Sequence, residues 1–182
     1  MSGTPPETLK LPSGALTRVR ESDAADLATA AKASLDHLLP WMPWASRSAV
    51  TLKAQRKHCR EAEQLWDLGS DYQYALRLDP AGPVIGGFGL HRRRGPGAIE
   101  IGYWVHVGHT GHGYGTAGAD ALTRAALALP GVDRVEILTD EANTISAAIP
   151  RRLGYRLDRI EPCRFETPSS TGRLQVWVMT RS

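Results

Sequence analysis

Apolar residues along this chain recur with two periods, and the switch between them divides it into alternating strands and helices. Leu16 to Arg20 predicts a short strand. Ser22 or Asp23 is placed to cap a helix through about Leu38, with Leu27, Ala30, Ala31, Ser34 and Leu38 near one face. Two prolines exclude regular helix from Leu39 to Ala45, L-P-W-M-P-W-A. Thr51 to Asp67 predicts a second helix, ended near Gly69. Three strands follow at Tyr72 to Leu78, Val84 to His91 and Ala98 to Val107. The turns Asp79-Pro80-Ala81-Gly82 and Arg94-Gly95-Pro96-Gly97 make them antiparallel. A helix from Thr116 to Leu129 stops at Pro130-Gly131, and Val135 to Thr139 returns to strand. A helix over Thr144 to Leu153 and strands at Tyr155 to Ile160 and Leu174 to Thr180 complete the order β-α-α-β-β-β-α-β-α-β-β. That order predicts the α/β class, a mixed sheet with helices packed on it.

Composition narrows the class without naming a chemistry. At 182 residues the chain is long enough for one domain with a sizeable core. Pro5, Pro6, Pro12 and Gly14 mark residues 1–14 as a loose leader without a signal pattern, leaving 15–182 as the single domain. A hydrophobic share of 42% with 23% charged residues predicts a folded globular protein rather than a disordered one. The net charge of +3 suits an anionic ligand but, with no concentrated patch, does not predict nucleic-acid binding. The run His91-Arg92-Arg93-Arg94 before Gly95-Pro96-Gly97 reads as a solvated hairpin turn. Cys59 and Cys163 have no framework or ligand spacing, which predicts reduced thiols and a cytoplasmic location. No apolar run is long enough to predict a membrane span.

Candidate chemistry concentrates between Val107 and the alanine-rich helix, in Gly108-His-Thr-Gly111-His-Gly113-Tyr-Gly115. Backbone N–H groups unobstructed by side chains collect there at a helix N-terminus. Unsatisfied donors and the positive end of the helix dipole attract phosphate to such a place. Gly113-Tyr-Gly115-Thr-Ala-Gly118 also satisfies G-x-G-x-x-G, with Asp140 downstream as a ribose ligand. Against a dinucleotide fold stand the insertion G-H-T-G-H between Val107 and Gly113 and the antiparallel strands upstream. A purely structural tight turn is a further alternative. The missing G-K-[ST] excludes a P-loop. His106, His109 and His112 recur every third position, but no carboxylate joins them and no metal site is predicted.

Two spaced motifs carry a resemblance. The first is Thr110-Gly-His-Gly113-Tyr-Gly115-Thr-Ala117; the second is Asn143-Thr-Ile-Ser146-Ala-Ala-Ile-Pro-Arg-Arg-Leu-Gly154-Tyr155. They resemble the [QR]-x-x-G-x-[GA] loop and the N-x-x-[AS]…G-[FY] segment of the GNAT superfamily of N-acetyltransferases. Glu100-Ile-Gly-Tyr-Trp104 and Leu39-Pro-Trp-Met-Pro-Trp44 are similar to its RimJ/RimL-type branch, whose best-known members acetylate N-terminal amines of ribosomal proteins. The likeness spans roughly residues 16–180 in element order. It implies a mostly antiparallel, splayed central sheet and acetyl-CoA as cofactor.

The resemblance also implies roles. Backbone around Val105, His106 and Val107 would meet the pantetheine arm as a strand edge meets another strand. Thr110, Gly111, His112, Gly113, Tyr114 and Gly115, with Thr116 at the helix start, would hold the pyrophosphate. Asn143 would bond the pantetheine and Ser146 would reach the sulfur. Thr110 replaces the usual Gln or Arg, a change that a backbone contact survives. Pro150 replaces the tyrosine that many relatives use to protonate the thiolate, which leaves Ser146 as the candidate acid.

An α-amino group of pKa about 8 is partly neutral at pH 7, whereas a lysine near 10.4 needs a real base. Glu100 is the candidate base; its alternative is a strand carboxylate paired with an arginine. A backbone N–H near Val105 would stabilise the oxyanion. His37, Trp41, Trp44 and Tyr103 are candidate acceptor-side residues, with His37 also an alternative base and loop anchoring the alternative for both tryptophans. The expected reaction is direct acetyl transfer to a primary amine, a protein N-terminus or else a small-molecule amine. A catalytically silent CoA-binding module is the reading from a different class. A homodimer stays open.

Overall fold

Period-two alternation from Tyr72 to Val105 builds antiparallel strands whose two faces bury different helices. A computed structural model of the chain describes residues 3–164 and 166–181. Its strands are β1 (Thr8–Lys10), β2 (Ala15–Arg18), β3 (Asp71–Arg77), β4 (Gly86–His91), β5 (Ala98–Val105), β6 (Arg134–Asp140), β7 (Arg156–Pro162) and β8 (Arg173–Thr180). They form one eight-stranded sheet in the order β1-β2-β3-β4-β5-β6-β8-β7. The helices are α1 (Ala24–Ala33), the single turn α2 (Leu35–Leu38), α3 (Leu52–Asp67), α4 (Tyr114–Leu127) and α5 (Thr144–Arg152). Neighbouring strands run antiparallel except β5 and β6, which are parallel.

The single helix expected up to Leu38 divides at Ser34 into α1 and α2. Helix α3 starts where expected because the Thr51 side chain caps it, accepting from the Ala54 N–H. Part of the expected loose leader is instead built into the sheet as β1, paired from Thr8↔Thr17 to Lys10↔Ala15. Tyr74 Oη donates to Pro6 O at 2.9 Å, and Leu9 packs against the main core. Two prolines and a strand this short leave no period to read. Residues 1 and 2 of that leader lie outside the described residues.

One sheet face carries Phe88, Leu90, Ile99, Ile101, Val135 and Ile137 against Ala119, Leu122 and Ala126 of α4 and Ala147 of α5. The opposite face carries Ala75 against Leu27 of α1 and Cys59 and Ala62 of α3. Burial pushes the Cys59 thiol up to about 12, making it a core residue rather than a nucleophile. Close approach of α4 depends on Gly118, where an added Cβ would lie 2.2 Å from Phe88 Cε1. The third glycine of the G-x-G-x-x-G pattern is thus a helix-to-sheet packing residue.

Candidate active site

The site begins where β5 and β6 part. Their pairing runs from Ala98↔Arg134 to Ile101↔Ile137 and stops, although β5 continues to Val105 and β6 to Asp140. His106 N–H donates to Ile85 O at 2.9 Å, which sets the β4–β5 alternation. Even-numbered residues of β5 bond β4, so the N–H and C=O of Tyr103 and Val105 face the split. The main chain of His106 does not, contrary to its expected role. The Val107 N–H donates to Ser34 Oγ at 3.0 Å and is likewise engaged. Of the expected strand positions, Val105 keeps its backbone aimed into the split, and Tyr103 joins it.

Beyond the strand, His106 caps a short 3-10 turn over Val107–His109, its Nδ1 accepting from the Gly108 N–H at 2.9 Å. Burial, then the nearby His109, holds the His106 imidazole below its ordinary range. Gly111 and Gly113 take left-handed φ of 78° and 81°, and Gly113 serves as N-cap of α4 without a side-chain hydrogen bond. The helix therefore starts at Tyr114, two residues before the expected Thr116. Among the described residues, the first-turn N–H groups of Tyr114, Gly115 and Thr116 find no protein acceptor. Thr110 Oγ1 donates to Val107 O, and His112 stacks on Tyr114. Both side chains shape the loop and leave its amides clear. Arg152 Nη1, from the last turn of α5, donates to Thr116 Oγ1 at 3.2 Å. It brings a positive charge to the same helix start, which motif spacing did not reveal. Among the described residues, no group of three or more His, Cys, Asp or Glu is placed to hold a metal ion.

Helix α5 flanks the other side. Asn143 is its N-cap, with Oδ1 accepting from the Ser146 N–H at 3.1 Å. Pro150 lies inside α5 and offers no N–H to Ser146 O. Tyr103 Oη stands 3.4 Å from both Ser146 O and Ser146 Oγ. Tyr103 was expected on the acceptor side; alternation turns it to the α4–α5 face, against Ser146. Burial pushes its phenol up to about 12, with the Ser146 hydrogen bond offsetting this in part. Asp140, the ribose candidate of the dinucleotide alternative, accepts instead from the N–H groups of Ala142 and Thr171 and the hydroxyls of Ser170 and Thr171.

The opposite mouth of the split carries Glu100, Gly102 and Trp104. Glu100 is 8% exposed, and both its oxygens accept from Arg93, at 3.1 Å from Nε and closer from Nη2. The arginine-paired alternative is thus the arrangement found, and the carboxylate is not free as the base role requires. Gly102, the first β5 residue past the last β6 pair, faces Gly89 of β4. The His91 ring lies over both glycines: an added Cβ would meet Nε2 at 2.7 Å from Gly89 and 3.1 Å from Gly102. His91 Nδ1 is 2.5 Å from Asp71 Oδ2. The turn-like run after His91 hid this pair, and the two facing glycines were its one sequence trace. Trp104 covers Gly87 and meets Trp44 with ring centroids 6.0 Å apart. Trp41 is half-buried in the same proline loop, and His37 is exposed on α2. Ser169 N–H donates to Pro40 O at 3.2 Å, joining the β7–β8 loop to this wall.

A long anionic ligand with an amide-bearing arm fits these residues, with phosphate donors at α4 and an unpaired strand edge at Tyr103 and Val105. The acetyltransferase (GNAT) domain matches residues 15–156. Mycothiol acetyltransferase of Salinispora tropica is 35% identical over 154 residues, 80% of this chain and 46% of that protein. The chain therefore spans less than half the length of that relative. The structure of Mycobacterium smegmatis RimJ in complex with CoA-disulfide superposes with a TM-score of 0.85 at 23% identity, covering 98% of this chain and 88% of that one. RimL, a ribosomal L7/L12 alpha-N-protein acetyltransferase in complex with coenzyme A, gives 0.85 at 19% identity over 96% and 98%. The family match runs from the first residue of β2 to the first of β7 and takes in both the split and the glycine turn before α4, so the chain belongs to the GNAT acetyltransferase family.

Proposed function

We propose that the chain transfers acetyl from acetyl-CoA to an amine and that the acceptor is the N-terminal α-amine of a protein, of the kind named for RimL and for the Salmonella typhimurium acetyltransferase that modifies the N-terminal serine of L7/L12. The observation that carries this is the open acceptor wall. Trp44 is 39% exposed beside Trp104, on a loop tied to the β7–β8 connection. An open aromatic wall admits a chain end, whereas small-ligand sites enclose about 70–90% of their ligand. An α-amine also asks less of a base than a lysine does.

Bound acetyl-CoA supplies a thioester carbonyl for the amine to attack. Amides from Gly111 to Thr116 would hold its pyrophosphate, with Arg152 beside them. The Tyr103 and Val105 main chain and the Asn143 side-chain amide would hold the pantetheine arm. The Val105 N–H would donate to the carbonyl oxygen, a contribution of about 3 kcal/mol for one preorganised donor. Ser146 and Tyr103 hydroxyls are the candidate proton donors on the sulfur side.

A small-molecule amine is the second reading, favoured by sequence likeness to two Salinispora proteins named mycothiol acetyltransferase. Thiol release from acetyl-CoA, measured against peptides with Ser, Ala or Met first and against a panel of small amines, separates the two. Peptides are expected to turn over faster; turnover of small amines alone would overturn the proposal.

A further inference from the structure

Glu100 is committed to Arg93, so the proton that an ammonium must lose needs another destination. From the placement of one imidazole we infer that His91 is the general base and Asp71 its positioning residue. This rests on the amine-acceptor reading above. An ionised carboxylate only accepts, so the 2.5 Å contact puts a ring proton on Nδ1, which in the neutral ring leaves the lone pair on Nε2. Gln73 Nε2 donates to Asp71 Oδ1 at 2.8 Å and fixes the carboxylate in turn. Among the described residues, Arg18 Nε is the sole side-chain polar atom both buried and unpartnered. Among the described residues His91 Nε2 has no hydrogen-bond partner either, and as it is not among the buried atoms it touches solvent.

Nε2 lies over Gly102, one residue beyond the last β5–β6 pair. Gly89 and Gly102 leave the volume the ring fills, and Gly102 is where β5 leaves β6. Trp104, next on the same face, begins the acceptor wall. The ionisable groups around the ring are Asp71 on β3, Glu100 with Arg93, and His58 with Glu61 on α3. The step is one proton transfer. The acceptor R–NH3+ gives its proton to Nε2, leaving a neutral R–NH2 with its lone pair free and an imidazolium facing Asp71. The imidazolium then returns the proton to water.

Two measurements test this. In proton NMR of the protein alone, a strongly deshielded Nδ1–H resonance is expected from His91, lost in both Asp71→Asn and His91→Gln. In thiol-release assays His91→Gln is expected to lower kcat/KM about 100-fold at pH 7. The deficit should narrow above the amine's own pKa, where the acceptor is neutral without help. A deficit that is absent, or constant with pH, overturns the base role, as does the missing resonance in wild type. Should His91→Gln fail to fold, Gly102→Ala keeps both partners and crowds Nε2, and the same narrowing with pH is expected. If wild type transfers to no amine, the functional reading fails while the resonance still decides whether the dyad exists.

Discussion

Pro150 and Tyr103 are far apart in sequence but act on one carbonyl. The proline removes the N–H that Ser146 O would meet inside α5, and the Tyr103 hydroxyl approaches that oxygen from β5. Ser146 thus receives a phenol from a different element. Because burial raises its pKa, Tyr103 stays protonated across the working pH range and can donate. Tyr103→Phe should cost about 0.5–1.5 kcal/mol in urea unfolding, the net value of one hydrogen bond. It should also lower kcat by the same factor from pH 6 to 9. Ser146→Ala keeps the backbone acceptor and should leave stability within about 0.5 kcal/mol of wild type. A Tyr103→Phe enzyme with unchanged kcat would assign the phenol to structure alone.

At the scale of elements, the N-terminal end of α4 uses its glycines for two purposes. Gly113 ends the loop at φ 81°, a region that costs an L-residue about 1–2 kcal/mol. Gly118 one turn later has ordinary backbone but no room, with Phe88 against it. Gly113→Ala should therefore weaken coenzyme A binding, measured by calorimetry, because it re-aims the free amides. Gly118→Ala should cost about 1–3 kcal/mol of stability through overpacking while leaving coenzyme A affinity near wild type once folded. The reverse assignment of effects would show that the cradle is not at Gly113. Likewise, β5 serves two neighbours in succession: its first half completes the sheet with β6, and its second half presents an open edge.

Across the whole molecule, two buried carboxylates tie the sheet's second half together. Glu136 of β6 is 0% exposed and accepts from Arg94, Arg134 and Arg159. Burial alone would raise its pKa; the hydrogen bonds from Arg94 and Arg134 outweigh this and hold it below its ordinary 4.5. Asp140 follows the same balance, burial opposed by the Ala142 and Thr171 N–H groups, and falls below 3.8. Both folded values lie below the unfolded ones. Their stabilisation is therefore complete at neutral pH and is lost as pH falls through the folded values. Urea unfolding should give similar stability at pH 7 and 5 and a steep loss near pH 3. Glu136→Gln should flatten that loss and cost about 3 kcal/mol at pH 7, the low end for a broken buried pair because Arg134 and Arg159 stay partly solvated.

Hydrophobic period and turn chemistry were enough to determine the element order from α3 to β8, the antiparallel β3–β4–β5 meander and the glycine turn before α4. These are local properties, set within a dozen residues by alternation, capping and positive φ. Two motifs at the right spacing also marked the loop whose amides the fold leaves without acceptors, since donors on one loop need no distant partner. Which side of a strand each residue serves was decided only by the tertiary structure. A one-residue change of register exchanges the faces, so Tyr103 lies against Ser146 of α5 rather than beside Trp104, and the Val107 N–H is taken by Ser34. The early parting of β5 from β6, which opens the site, and the pairing of His91 with Asp71 are equally non-local. Each depends on strands brought together from distant parts of the chain, and no local pattern records which side chains will then meet.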